Sequence, residues 1–196
     1  IDARAAVTPE RADLRVAYIG THNYEIGVNL AKLAMEVKPE GGTVCIQSGG
    51  AAAANHNERM QGIRDTLSGA KSAASPGKKL TGENGWKEID GCPLYTDDDF
   101  GRSIQQFEDI MAKNPTLDAF LPTGGFPQFL PDANRAAVGK HKAKIASKQL
   151  ALIVAPHEDL EHRIARRIVE LHRHRDALGA AGDEGDRLAV VGLDVA

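Results

Sequence analysis

Short apolar runs alternate with segments of helical period along the first 155 residues. The apolar runs predict strands at 16–19, 44–47, 86–89, 117–121 and 150–155. The pattern leaves open whether the third strand extends through Leu94 and Tyr95. Between them, apolar positions three and four apart predict helices that begin near residues 23, 53 and 100. Strands that alternate with helices of this length are typical of βαβ units. We therefore expect an α/β fold, a three-layer αβα arrangement around an open, mostly parallel sheet.

The last 41 residues have a different composition. All nine aromatic residues lie before residue 130. A charged helix is predicted from 157 to about 178, followed by a loop and a final strand at 188–193. We accordingly predict two parts, an α/β lobe over 1–155 and a divergent helix-loop-strand segment over 156–196.

Composition and charge exclude several classes of protein. Apolar residues make up 42% of the chain and charged residues 26%, which excludes intrinsic disorder. The net charge of −3 provides no global field for nucleic acid or for an anionic membrane, so neither is expected as a partner. The longest apolar stretch is too short to span a bilayer, and no signal segment opens the chain. The abrupt start at Ile1 is typical of a piece of a longer protein.

The two cysteines are expected to remain unpaired. Cys45 lies within an apolar run, where a free thiol packs as a small hydrophobic group, and Cys92 lies in a turn before a proline. Their spacing gives no reason to join them. Trp86 is expected to be partly buried as a packing residue at the amino edge of the sheet.

Open parallel sheets bind ligands at the carboxyl ends of their strands, so the residues that follow each strand are the candidates for a site. These candidates are Asn23, Arg59, Asp98, Gly124 and Gln128. Amides, carboxylates, an arginine and nearby aromatic rings suit a neutral polyhydroxylated ligand. Structural alternatives stay open: Asn23 as a helix N-cap, residues 97–99 as a capping cluster, and Arg59 as a solvated helix residue.

Other chemistry has weaker support. The glycine pairs at 49–50 and 124–125 are not part of the glycine-rich sequence motifs that bind phosphate, so a nucleotide is not expected. The histidines at 157, 162, 172 and 174 lie among arginines on the polar side of the predicted helix, which disfavours a metal site. No Ser-His-Asp or paired-carboxylate spacing is present. We expect no cofactor, no metal and no enzymatic activity.

Four segments together resemble the second lobe of type I periplasmic sugar-binding proteins, the ribose-binding-like group. They are residues 18–27 (YIGTHNYEIG), 57–63 (NERMQGI), 95–106 (YTDDDFGRSIQQ) and 114–120 (NPTLDAF). The second is similar to the family's N-x-R-x-x-G-F helix motif. The resemblance covers roughly residues 1–155. It implies a periplasmic substrate-binding component of an ABC transporter, with a sugar or a related small polar solute as ligand and a membrane permease as partner.

The same resemblance assigns individual roles. Arg59 matches the helix arginine that holds sugar hydroxyls, and Asp2 matches a ligand carboxylate in the hinge segment. Asp98 stands where the ribose binders have an aromatic residue. The family's Asn-Asp pair after the fourth strand is replaced by Gly124-Gly125, which removes a side-chain contact unless Gln128 substitutes for it.

Two further implications concern the ends of the chain. The family's aspartate after the fifth strand falls at Pro156, so Asp194, in a similar strand motif, is a rival candidate. The alignment places Ile1 at the first hinge crossing, so the first lobe is absent from this sequence. A single lobe is expected to bind sugar weakly and to self-associate through its uncovered surface.

The same lobe occurs in transcription regulators of the lactose-repressor type, so an effector-sensing lobe is the alternative function. An enzyme on a flavodoxin-like sheet is disfavoured because the sequence shows no nucleophile, base or phosphate loop.

Overall fold

The computed structural model describes residues 21–155. The chain divides into two units, 1–155 and 156–196, and the described part lies within the first. The strand predicted at 16–19 and all elements predicted beyond residue 155 lie outside the described residues. Between 21 and 155, no helix is long and apolar enough to cross a membrane.

Helices and strands alternate along the first part of the described chain, as the hydrophobic pattern predicts. The helices are α1 (Asn23–Val37), α2 (Ala54–Ser68), α3 (Phe100–Lys113), α4 (Pro131–Gly139) and α5 (Lys142–Ala146). The strands are β1 (Gly42–Ser48), β2 (Trp86–Glu88), β3 (Leu94–Tyr95), β4 (Ala119–Pro122) and β5 (Ala151–Leu152). Short 3-10 helices occupy Glu83–Gly85 and Phe126–Phe129. The predicted start of α3 near residue 100 is confirmed.

The described strands form one parallel sheet in the order β2-β1-β4-β5, and β3 pairs with the last two residues of β1. Successive side chains of β1 point to opposite faces. Val44 and Ile46 pack with the buried residues of α1 and α2, whereas Cys45 packs with those of α3. Helices therefore cover both faces, and the predicted three-layer α/β fold is confirmed.

The third predicted strand is interrupted. β2 pairs with Gly42–Val44, and β3 pairs with Gln47–Ser48. Only two residues of β1 separate these pairings, whereas the neighbouring chain forms a loop of residues 89–93 between β2 and β3. Gly91 has a φ of +82°, and Pro93 has no N–H to donate to a ladder. These two residues break the pairing and produce two short strands in place of one.

The region between β4 and β5 contains helices that the sequence pattern did not predict. α4 begins at Pro131, a residue favoured in the first helical turn, and buries Ala137 against the α3 face. The two flanking strands are shorter than predicted, because β4 starts at Ala119 and β5 ends at Leu152.

Cys45 and Cys92 form a disulfide, so the expectation of two free thiols was wrong. Both residues face the α3 side of the sheet, and their Cα atoms lie 5.4 Å apart. The loop at 89–93 returns Cys92 to the neighbourhood of β1. Sequence spacing could not reveal this proximity, because 47 residues separate the two positions.

Trp86 is a packing residue at the amino edge, as predicted, although it is more deeply buried than expected. It opens β2 opposite Gly42, the first residue of β1, and only 1% of its surface is exposed. Its ring belongs to the core between the sheet and helices α1 and α2.

Helices α1 and α2 touch through backbone at two glycines. A Cβ added to Gly27 would lie 1.9 Å from the carbonyl oxygen of Arg59, and one added to Gly62 would lie 2.2 Å from that of Tyr24. Gly62 is the glycine of the helix motif quoted above. Its role in this chain is to let the helix that carries Arg59 approach α1.

Gly62→Ala is therefore expected to lower the free energy of unfolding by about 1–3 kcal/mol, because two backbones must separate. Gly139→Ala is the matched control, since an added Cβ there meets nothing within 4 Å. Gly139 ends α4, so alanine should be neutral or slightly stabilising. Urea unfolding followed by circular dichroism measures both variants. Equal stabilities for the two would contradict the close contact.

Candidate functional site

The carboxyl edge of the sheet brings together the segments that follow three strands. Residues 49–50 follow β1, residues 96–99 follow β3 and residues 123–125 follow β4. Parallel strands place these connections at one edge, where the helices that follow them also begin. The candidate residues that the structure describes lie on these connections or on the adjoining helices.

Arg59 lies at this edge, as predicted from its helix. Its side chain is half-buried: Nε donates to Oδ1 of Asn23 at 3.0 Å, and Nη1 donates to the carbonyl oxygen of Thr123 at 2.8 Å. Two hydrogen bonds to separate segments fix the plane of the guanidinium. The alternative of a solvated helix arginine is therefore wrong.

Asn23 is not the N-cap of α1. The cap position is His22, whose side chain makes no capping hydrogen bond, and Asn23 is the first helical residue. Its Oδ1 accepts hydrogen bonds from Arg59 and from Thr21 Oγ1, the latter at 2.9 Å. With 1% of its surface exposed, Asn23 positions Arg59.

His56 lies one helical turn before Arg59, and the sequence analysis did not single it out. The residue is 7% exposed, and its Nδ1 lies 2.9 Å from Thr123 Oγ1. Its spacing of three residues from Arg59, which puts both on one face of α2, is the signal that could have found it.

The pKa of His56 falls to about 4, first because burial disfavours the charged imidazolium and second because Arg59 repels it. Asp98 opposes this shift. The imidazole is neutral at physiological pH. Because the folded state binds this proton less tightly than the unfolded chain, His56 makes the fold lose stability as the pH falls from about 6.5 towards 4.

The three consecutive aspartates have separate roles. Asp99 caps α3 by accepting from the backbone N–H of Arg102 at 2.7 Å, and Asp97 pairs with the Arg102 side chain. Capping thus accounts for Asp99 alone. Asp98 is exposed, with a φ of +60°, and its Oδ1 would lie 2.7 Å from a Cβ on Gly49. Its carboxylate therefore lies at the carboxyl edge.

Gly124 and Gln128 follow β4. Gly124 is buried, and a Cβ there would lie 2.6 Å from Cζ of Phe126. Gln128 lies in the 3-10 helix Phe126–Phe129, where its Oε1 is buried and accepts no hydrogen bond from the described residues. A buried acceptor normally receives a hydrogen bond, and solvent or a ligand can supply the donor here. Gln128 thereby stays a candidate for the contact that the two glycines lack.

An exposed aromatic pair borders the same connections. Phe100, which begins α3, stacks on Phe129 with ring centroids 4.4 Å apart and planes 16° apart. The two rings are 37% and 45% exposed, and Leu130 is 39% exposed beside them. Apolar ring faces of this kind suit the C–H face of a pyranose or an apolar contact.

The described candidates carry complementary hydrogen-bonding groups. Arg59 supplies hydrogen-bond donors, while Asp98, Gln128 and the neutral His56 supply acceptors. Across residues 21–155, no three His, Cys, Asp or Glu side chains are grouped as a metal site would require. Asp2 and Asp194 lie outside the described residues, as does the histidine cluster.

Comparisons with known proteins agree with this fold. A family model for the periplasmic binding protein domain matches residues 5–153. A search of curated proteins found no significant match. Two solved structures of ABC transporter solute-binding proteins share the fold.

One of these structures, from Actinobacillus succinogenes 130z, has bound D-allose. It is 18% identical, with a TM-score of 0.55 and alignment over 78% of this chain and 45% of that one. The other, from Agrobacterium vitis, has bound D-fucose. It is 17% identical, with a TM-score of 0.54 and alignment over 75% of this chain and 43% of that one.

The chain thus spans less than half the length of these solved structures. The family match is to a binding domain, which confirms the expectation of a binding protein rather than an enzyme. It covers most of the chain, including every strand and helix described above. The chain belongs to the family of periplasmic binding protein domains.

Proposed function

We propose that residues 21–155 form one ligand-binding lobe of a solute-binding protein that delivers a sugar to an ABC transporter. The observation that carries this proposal is the guanidinium of Arg59, which Asn23 and Thr123 orient at the carboxyl edge of the sheet. A planar fork of donors is suited to adjacent oxygens of a polyhydroxylated ligand.

The surroundings of Arg59 support a neutral polar ligand. At His56 the Asp98 carboxylate acts against the charge of Arg59, and the buried Oε1 of Gln128 can accept from a ligand hydroxyl. The stacked Phe100 and Phe129 offer an apolar face beside these polar groups. The two solved structures reported above hold D-allose and D-fucose, which supports a monosaccharide.

The family match supports the transport role and the compartment. Both solved structures are transporter solute-binding proteins, so the alternative of an effector-sensing lobe of a transcription regulator is not favoured. A periplasmic location is supported by the Cys45–Cys92 disulfide, because such bonds persist in oxidising compartments. A permease is the partner that this role requires.

The 196-residue chain is expected to bind sugar with a Kd of roughly millimolar, because one lobe leaves many ligand hydroxyls in water. Backbone NMR shifts of the ¹⁵N-labelled chain, titrated with D-allose or D-fucose, should change at residues 56–59, 96–98 and 123–128. Glycine betaine, which has no hydroxyl group, is the control ligand and should cause no such change.

Arg59→Lys is expected to weaken sugar binding about tenfold, which corresponds to about 1.4 kcal/mol. Lysine keeps the charge but loses the planar fork that the site orients. Arg135→Lys is the matched control, because Arg135 is an exposed helix arginine paired with Asp132. Unchanged affinity in Arg59→Lys, or shifts confined to other parts of the lobe, would overturn the proposed function.

A further inference from the structure

We propose that His56 is a specificity-determining ligand contact of this lobe, whose Nε2 accepts a hydrogen bond from a sugar hydroxyl beside the carboxylate of Asp98. The inference rests on the proposed function, because it adds a residue to the same site. Its basis is the arrangement of His56 among Gly49, Thr123 and Gly124.

The hydrogen bonds around Thr123 are consistent with a His56 ring that carries its proton on Nδ1. Thr123 Oγ1 donates its only proton to the carbonyl oxygen of Gln47 at 3.2 Å. With that proton directed to Gln47, the same oxygen accepts from Nδ1 of His56, 2.9 Å away. In the neutral imidazole, Nδ1 carries the proton and Nε2 has the lone pair. Nε2 is consequently an acceptor.

Nε2 and the Asp98 carboxylate approach the same point. A Cβ on Gly49 would lie 3.0 Å from Nε2 of His56 and 2.7 Å from Oδ1 of Asp98. Asp98 is exposed, so this edge of the imidazole borders the open side of the site. The two acceptors can receive hydrogen bonds from neighbouring hydroxyls of one ligand, while Arg59 donates to others.

Two glycines provide the room that the ring occupies. A Cβ on Gly49 would lie 2.8 Å from Cδ2 of His56, and one on Gly124 would lie 3.1 Å from Cε1. Phe126 packs on the ring with its centroid 5.2 Å away. The ring is therefore held in one position, as a preorganised contact requires.

Gly124 also links His56 to the departure from the family pattern. The resemblance described above implies that Gly124 stands where the family has an asparagine. The same glycine leaves space for the His56 ring. The imidazole therefore lies where a side chain at position 124 would otherwise extend.

Imidazole ¹⁵N NMR of the full 196-residue chain tests this contact directly. Addition of D-allose or D-fucose should shift Nε2 of His56, while Nδ1 remains protonated. His141, which packs edge-on against Phe107 with centroids 5.5 Å apart, is the internal control and should not shift. A response of this kind is not expected from a histidine that only fills the core.

Two substitutions test the same contact by affinity. In His56→Asn, the side-chain amide can still donate to Thr123 but offers nothing at the Nε2 position, so sugar affinity should fall about three- to tenfold. His56→Gln, whose longer amide can reach that position, should retain more affinity. If His56→Asn does not fold, the Nε2 shift of the unaltered chain decides the question.

The outcomes separate the two proposals. If sugar shifts the backbone near Arg59 but leaves Nε2 of His56 unchanged, the inference is overturned and the proposed function stands. If no sugar shifts any residue at the carboxyl edge, the proposed function is overturned, and this inference with it.

Discussion

Glu88→Gln is expected to lower the free energy of unfolding by about 3–5 kcal/mol, because it leaves the charge of Arg64 buried without its partner. Arg64 donates from Nε to Oε1 of Glu88 at 2.7 Å and from Nη2 to Oε2 at 2.9 Å. The side chains of Arg64 and Glu88 are 5% and 0% exposed.

The pair also secures the loop that joins α2 to β2. Oε1 of Glu88 accepts from the backbone N–H of Leu80, and Nη1 of Arg64 donates to the carbonyl oxygens of Pro76 and Gly77. Loss of the carboxylate charge weakens both the ion pair and the anchoring of this loop.

Urea unfolding of Glu88→Gln beside Glu108→Gln measures the effect. Glu108 pairs with Lys140 at the surface, where the lysine is 64% exposed, so that variant should change stability by less than about 1 kcal/mol. The double variant Arg64→Met with Glu88→Leu removes both charges and should be more stable than Glu88→Gln. Equal stabilities for Glu88→Gln and Glu108→Gln would show that the buried pair does not hold the loop.

Removal of the Cys45–Cys92 disulfide is expected to cost about 4 kcal/mol in the chain-entropy model, because the bridge closes a loop with a sequence separation of 47. The double variant Cys45→Ala with Cys92→Ala avoids leaving a free thiol. Both cysteines are buried and belong to the core on the α3 side, so part of the loss will come from packing.

Unfolding curves with and without a reductant separate the bridge from the packing. Reductant should destabilise the unaltered chain and leave the double variant unchanged. Thiol titration of the denatured, unreduced chain should find no free thiol. Two free thiols in that titration, in protein exposed only to oxidising conditions, would exclude the disulfide.

The parallel sheet was predictable because the spacing of hydrophobic residues along the chain follows directly from which side chains are buried. β1 is buried on both faces and appears in the sequence as a short continuous apolar run. α3 buries Ile104, Phe107 and Met111, which recur at helical spacing, and its bounds follow from Asp99 before it and Asn114 after it. Such features depend on neighbours within one or two turns.

The location of Arg59 was predictable for a related reason. It lies early in the helix that follows β1, and such helices begin at the carboxyl edge of a parallel sheet. The role of Asn23 was not predictable, because N-caps and partners of a distant arginine use the same side-chain oxygen. Only the approach of α1 to α2 made Arg59 its partner.

The sequence by itself determined the α/β class, the parallel sheet with helices on both faces, and the edge of the sheet where the candidate residues lie. The spacing of hydrophobic residues and the rules for connecting strands are sufficient to predict these features, because the spacing depends on which residues are buried away from water. Only the tertiary structure decided the disulfide, the interruption between β2 and β3, the glycine contact between α1 and α2, and the position of His56 against Thr123 and Gly124. Each of these depends on distances between segments that are remote in sequence, and those distances exist only after the layers pack.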